Sequence, residues 1–235
     1  MIVWLNGTHG VGKTTTARLL QPLLPDARLL DPEKVGETLM DIKPVLRATD
    51  DFQHWDPWRP LVVETARRVL DYAGGTLVMP QTVLVERYWR EIAAGLAAHG
   101  IPVRHFVLHT DQETLRERIR NDTVMGPSTF RFSRVEPYAE AARTWLHAEA
   151  EVVDTTQQLG GAGGAADRRR RDGLTSGSCS GPRLPQCGTV LRRRVLGDRD
   201  DLVEAFPGGL ELGELGRDPV PLGDEQRERL RSRPA

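Results

Sequence analysis

Lysine is nearly missing from this 235-residue chain: Lys13, Lys34 and Lys43 stand against abundant arginine. Cysteine is almost as rare. Cys179 and Cys187 are the two present, both late in the chain, which excludes a disulfide framework and a cysteine-rich metal cluster and leaves a reducing cytoplasm as the expected compartment. Charge of one sign is missing as well. Thirty-two basic side chains meet 33 acidic ones, for a formal net charge of −1, so no global field points to nucleic acid or to an anionic membrane. No apolar run is long enough to span a bilayer, and the chain enters its first apolar strand at Met1, which leaves no room for a signal peptide. What remains is a chain long enough for one α/β domain with a real core and something extra.

What is present starts at Gly7. The stretch Gly7-Thr8-His9-Gly10-Val11-Gly12-Lys13-Thr14 fits G-x-x-x-x-G-K-[ST] without a mismatch. Ahead of it runs the apolar, β-branched Met1–Asn6, short enough for a buried strand. Behind it Ala17, Leu20 and Leu24 share one helical face. Strand, glycine loop and helix start are the context that makes this pattern a phosphate site. Glycines let backbone N–H groups turn inward around a phosphate, and the helix N-terminus adds partial positive charge. The spacing predicts that Gly7 to Thr15 line a nucleotide, that Lys13 reaches the β- and γ-phosphates, and that the Thr14 hydroxyl sits on Mg²⁺. His9 holds a wildcard position and is expected to contribute its backbone amide. A glycine-rich turn that binds nothing is the plain alternative.

From Met1 to about Asp154, strands and helices alternate, the signature of a parallel sheet covered on both faces. Strands are expected at 1–6, 27–30, 76–79, 103–108 and 152–154. Helices are expected after the glycine loop, at 32–40, from Asp56-Pro57 to Gly74-Gly75, around Tyr88–Ala97, after the capping box Thr110-Asp111-Gln112-Glu113, and at 137–149. Residues 121–134 lack a period and are a mobile-loop candidate. Beyond Thr156 the pattern fails. Gly160–Gly164, Arg168–Arg171 and the stretch rich in Gly, Pro and Arg to Ala235 lack the apolar surface to offset ordering. A weak strand or helix in 190–206 is the exception. The expected division is therefore a nucleotide-binding domain at 1–156 and a largely disordered tail at 157–235. That tail is either a divergent extension or the product of a frame shift near codon 157.

Several further segments carry a resemblance. Met1–Gly7, Asp31-Pro32-Glu33-Lys34-Val35-Gly36, Asp51-Phe52-Gln53 with Trp58-Arg59, Val78-Met79-Pro80 with Thr82-Val83, and His105–Leu108 with Glu113-Thr114-Leu115 and Arg118 resemble the bacterial tunicamycin-resistance protein family. More broadly they are similar to small-molecule kinases of the P-loop class, among them chloramphenicol phosphotransferase and the shikimate and gluconate kinases. The resemblance covers about the first two-thirds of the chain and implies five parallel strands in the order 2-3-1-4-5 with a lid between the last two helices. It implies binding of ATP and protection against a nucleoside antibiotic by phosphorylating it. In place of the closing amphipathic helix of such kinases, residues 157–171 offer glycines and arginines.

A phosphoryl transfer needs a cradle, a metal, a base and charge neutralisation at the γ-phosphate. Asp31 ends the second strand at the carboxyl edge, where α/β sheets place ligands. There it can take the acceptor proton or hold Mg²⁺ through water. It also precedes Pro32 as a helix cap would, and one residue can serve both ends. Arg118 is expected on ATP, on its phosphates or stacked on adenine, with Arg131 and Arg134 as lid arginines. Phe52, Gln53, Trp58, Arg59 and Thr82 form the expected acceptor surface, with core packing the alternative for Trp58. His105, His109 and His147 lack ligand spacing and read as structural. The function expected is a small-molecule kinase; the alternative is a non-catalytic ATP-binding protein that sequesters a drug or regulates a partner.

Overall fold

Five apolar segments form one sheet. The structure is a computed structural model and describes residues 1–42, 46–123, 125–156 and 191–195. The strands are β1 (Ile2–Asn6), β2 (Ala27–Leu29), β3 (Thr76–Pro80), β4 (Val103–His109) and β5 (Glu151–Asp154). They lie in the order β2-β3-β1-β4-β5, the order the resemblance implies, and every pairing is parallel. β1 is central and buried along its whole length, as a strand covered on both faces must be. Its Ile2 pairs with Leu77 and Val103, its Leu5 with Pro80 and Phe106. Pro80 closes β3 rather than breaking it. Leu77 and Gln81 donate their N–H groups to β1, so by alternation the Pro80 nitrogen turns to the other side, where β2 has already ended at Leu29 and no donor is needed.

The helices are α1 (Lys13–Leu20), α2 (Glu33–Met40), α3 (Trp58–Ala73), α4 (Glu86–Ala98), α5 (Gln112–Arg120), α6 (Thr129–Ser133) and α7 (Val135–Ala141). Alternation along β1 sends side chains to two separate cores. Ile2 and Trp4 join Leu39 of α2, Trp58, Val62 and Ala66 of α3, Trp89, Ile92 and Leu96 of α4, and Tyr138 of α7. Val3 and Leu5 join Ala17 and Leu20 of α1, Phe106, Leu108, and Leu115 and Ile119 of α5.

Four local readings change. Residues 121–134 are not without structure: α6 lies there, capped by Ser128, whose Oγ accepts the Arg131 N–H at 3.2 Å. The cap of α5 is Asp111 and not Thr110; Asp111 Oδ1 accepts the Thr114 N–H at 2.8 Å. The helix expected from Asp56-Pro57 starts at Trp58, with Pro57 at its N-cap and no side-chain cap; the Asp56 carboxylate pairs with Arg59 at 2.8 Å. The helix expected at 137–149 begins earlier, at Val135, and widens into a π-helical turn at Ala142–Leu146.

Residues 191–195 are helical. Leu191 and Val195 are buried in the second core. Arg104 donates to the Arg194 carbonyl at 2.7 Å and to that of Val195 at 3.4 Å, satisfying helix-end acceptors. Arg192 donates to the Leu23 carbonyl at 3.1 Å, and Arg194 pairs with Glu151 at 3.0 Å. These five residues lie beyond the boundary placed at 156, within the stretch 190–206 where a weak strand or helix is expected. The glycine run at 160–164 and the arginine run at 168–171 lie outside the described residues. Among the described residues, no helix is long and apolar enough to cross a membrane.

Candidate active site

The glycine loop joins β1 to α1, as the motif requires. Gly7 has φ +130°, and a Cβ there would stand 2.7 Å from the Leu108 carbonyl oxygen; Gly10 has φ +84°, and a Cβ there would stand 2.8 Å from Ile119 Cγ1. The loop is thus pressed between β4 and α5, and only glycine fits both conditions. Thr8 and Val11 are fully buried. Lys13 is partly buried, and its Nζ donates to the Thr8 carbonyl at 2.9 Å. Burial pulls the Lys13 ammonium down to about 7, against the attraction of Glu33 and then Asp31. Thr14 and Thr15 are exposed at the start of α1. His9 is held at about 3 by burial first and then by the charges of Lys13, Arg131 and Arg134. It is therefore neutral, and the three cations that depress it mark where positive charge converges.

Two carboxylates at the start of α2, Glu33 and Asp31, attract the Lys13 ammonium. Asp31 Oδ1 accepts the Glu33 N–H at 3.0 Å, a bond onto the first residue of α2, while the N-cap position itself is held by Pro32 and has no side-chain cap; the Asp31 Oδ2 takes no part in that bond. Glu33 was not singled out by sequence. Burial, and then the neighbouring Asp31 and Glu37, raise its carboxyl above the ordinary value, while Lys13 and Lys34 oppose the shift. The signal that could have found it is its place two residues after Asp31, on the first turn of a helix entering from the sheet edge.

The expected acceptor surface is gathered in one place, and most of its polar atoms are already partnered. Phe52 tilts against Trp58 at 5.3 Å between ring centres and covers Gly36, where a Cβ would come within 2.4 Å of the ring. Trp58 is fully buried, and its Nε1 donates to the Pro32 carbonyl at 3.2 Å. Gln53 Nε2 donates to the Thr82 carbonyl at 2.9 Å. Arg59, 4 % exposed, donates to Glu91, to the Gln53 carbonyl at 2.7 Å and to Asp56 at 2.8 Å, with Tyr88 4.4 Å beneath its guanidinium. Asn6, which sequence did not mark, clamps the floor: its Oδ1 accepts from the Gly7 and Val83 N–H groups at 2.8 and 3.0 Å, and its Nδ2 donates to the Val83 carbonyl at 3.0 Å.

On the other side, Arg118 of α5 donates to Thr155 Oγ1 at 3.2 Å and to the carbonyls of Thr155 and Thr156 at 2.7 and 3.2 Å. The buried Thr155 hydroxyl in turn reaches the Val11 and His109 carbonyls at 3.4 and 3.0 Å. The exit of β5 is thereby tied to the glycine loop. Arg131 is paired with Asp122 at 2.7 Å and Arg134 with Asp51 at 3.1 Å. His105 stacks on Trp89 at 3.8 Å between centroids, and burial holds it at about 4.

With this geometry in place, the chain can be set beside known proteins. A family model described as an AAA domain matches residues 2–128. The chain belongs to that family. Among solved structures it is similar to the tunicamycin resistance protein of Deinococcus radiodurans, with 27% identity and a TM-score of 0.53 over 66% of this chain and 85% of that one. It is also similar to a gluconokinase of Sinorhizobium meliloti (16% identity, TM-score 0.46, covering 66% and 82%) and to a sugar kinase of Janibacter (17%, 0.47, covering 65% and 83%). A comparison with curated proteins gives no match. The family member is a P-loop protein with a kinase-like fold, and the likeness to a tunicamycin-resistance protein read from Asp31–Gly36 and Asp51–Gln53 holds for the structure as well.

Proposed function

We propose that this protein binds ATP with Mg²⁺ and transfers the γ-phosphoryl group to a hydroxyl of a small molecule, a nucleoside antibiotic of the tunicamycin kind being the acceptor class that its relative suggests. The observation that supports the reading is the glycine loop between β1 and α1, pressed against β4 and α5 at Gly7 and Gly10, with Lys13 Nζ folded back onto the Thr8 carbonyl; the charges of Arg131 and Arg134 act on His9 of the same loop, and those of Glu33 and Asp31 on Lys13.

The parts divide the work. Backbone N–H groups of the loop from Gly7 to Thr14, apart from that of Gly7 itself, which Asn6 holds, and the start of α1 cradle the phosphates; the close approaches at Gly7 and Gly10 support a loop shaped for backbone rather than side chains. Lys13 exchanges its bond to the Thr8 carbonyl for the β- and γ-phosphate oxygens, where its charge offsets the charge of transfer. The Thr14 hydroxyl, exposed at the start of α1, and the Asp31 carboxylate are the residues that would hold Mg²⁺ beside the phosphates, and the ion would supply charge neutralisation there. Asp31 takes the proton of the attacking hydroxyl. Arg118, braced on the exit of β5, supports the nucleoside. Phe52 and Trp58 give the acceptor an apolar wall, and Gln53, Thr82 and Arg59 shape its polar edge.

The test is to incubate the protein with ATP–Mg²⁺ and a panel of nucleoside antibiotics and sugars, following both ADP release and the acceptor's mass. Gain of one phosphoryl group, with ADP appearing only when the acceptor is present, supports the reading. ATP binding with no modified product from any hydroxylated compound favours a protein that binds ATP without transfer.

A further inference from the structure

Asp51 stands where the acceptor side meets the lid segment, and its two oxygens do different things. Oδ1 accepts the Gln53 N–H at 3.0 Å and caps the turn Phe52–His54. Oδ2 lies 3.1 Å from Nη2 of Arg134, with the two side chains only 12% and 20% exposed. Arg134 is fixed to the glycine loop by its backbone, since its carbonyl accepts the Thr8 hydroxyl at 3.3 Å. Its guanidinium lies 4.6 Å over the Phe130 ring, and Phe130 meets His9 edge-on at 5.4 Å. A long side chain anchored this way can turn from Asp51 to the loop without its backbone moving.

We propose that Asp51 is a positioning residue that withholds Arg134 from the phosphates until an acceptor shifts the Phe52–His54 turn, so that transfer to an acceptor is favoured over transfer to water. The proposal rests on the kinase reading above. An arginine at the γ-phosphate speeds attack by any nucleophile. With water as nucleophile, its oxygen bonds to the γ-phosphorus, the bond to the β,γ-bridging oxygen breaks, ADP leaves, and the proton is lost to solvent; ATP is spent without product. An ion pair this little exposed is weakly screened and competes for the guanidinium. Because the carboxylate that holds Arg134 also caps the acceptor-side turn, an acceptor that moves Phe52 and Gln53 moves Asp51 with them. Arg131 has no such link, since its partner Asp122 lies only nine residues before it, at the end of α5.

Asp51→Asn separates the two jobs, because asparagine caps as well as aspartate but cannot pair with Arg134. ADP release from ATP–Mg²⁺ with no acceptor, and ATP affinity by calorimetry, are measured for wild type, Asp51→Asn, Arg134→Ala and the double variant. Asp51→Asn should raise acceptor-free ADP release about tenfold and tighten ATP binding. In the Arg134→Ala background it should change neither, and Asp51→Glu should restore part of the restraint. Asp51→Ser, which also caps, must reproduce the effect should the asparagine variant fold poorly. Unchanged or lower release in folded Asp51→Asn, or an equal rise without Arg134, overturns the proposal. A wild-type protein that binds no ATP overturns the kinase reading and this proposal together; one that binds ATP while Asp51→Asn is silent overturns this proposal alone.

Discussion

The proposed phosphate side and the proposed acceptor side of this site are built from different material. Around Gly7–Thr14 the working groups are backbone N–H groups, held by β1, α1 and α5 over the core that contains Val3, Leu5 and Leu115. Around Phe52–Arg59 they are side chains, held by α2, α3 and α4 over the core that contains Trp4, Trp58 and Trp89. A backbone cradle binds any nucleoside triphosphate tail and leaves little freedom in sequence, since a Cβ at Gly7 would collide with a carbonyl. A side-chain wall can be rebuilt for each acceptor. Here it is already cross-linked, with Arg59 tied to three partners, so on the proposed reading acceptor choice would rest on the shape of a braced turn more than on free polar groups.

The sharpest way to separate the halves is to remove one at a time. Lys13→Ala should lower phosphoryl transfer by about a hundred- to a thousandfold while leaving the melting temperature unchanged, because the ammonium bonds only to a loop carbonyl; steady-state turnover beside a thermal melt measures both. On the acceptor side, Asp31→Asn should lower transfer about a hundredfold and leave ATP affinity nearly untouched, since asparagine preserves the bond to the Glu33 N–H. Calorimetry with ATP alone checks the second half. If turnover survives in Asp31→Asn and falls in Glu33→Gln, the base is Glu33.

The third comparison is between the two cores. A chain ending at Gln158 loses Leu191 and Val195, each worth about 1.5–3 kcal/mol of burial, and should melt about 10 °C lower. A chain ending at Asp198 should not. The loss falls on the core under the glycine loop, so ATP binding should weaken while Trp58 fluorescence, which reports the other core, changes little. The smallest effect is a proton count. The folded Lys13 titrates at about 7 instead of 10.5, so near pH 8 it is mostly neutral, whereas triphosphate binding requires the charged form. ATP binding should therefore take up about 0.9 proton at pH 8 and about 0.1 at pH 6, read from calorimetry in buffers of different ionisation heat, with the pH 8 uptake absent in Lys13→Ala.

The setting of the glycine loop was legible because it is local: strand, loop and helix start are contiguous, and the motif states their geometry. The strand order was legible through resemblance and the alternation of apolar segments. Other features depend on contacts between distant residues, and there the sequence is silent. Nothing near Thr155 says that its hydroxyl meets Val11, which lies 144 positions away. Nothing near Asp51 announces Arg134. The helix at 129–133 was hidden because its length is barely more than one turn; a weak strand or helix was legible at 190–206, but not that Leu191 and Val195 join the core of Val3, Leu5 and Ala17.

The reach of that last segment has a consequence for how the chain is made. Arg192 meets Leu23 across 169 positions of sequence, so the second core, which includes Leu191 and Val195, cannot be completed until that segment has been synthesised. At about 5–20 residues per second, the stretch from Thr156 to Leu191 takes about two to seven seconds to add. Throughout that interval a nascent chain that has already paired its five strands presents an unfinished apolar surface to the cell. Translation speed across codons 157–190 is then a determinant of yield, and slow codons there lengthen the time available for nascent chains to associate.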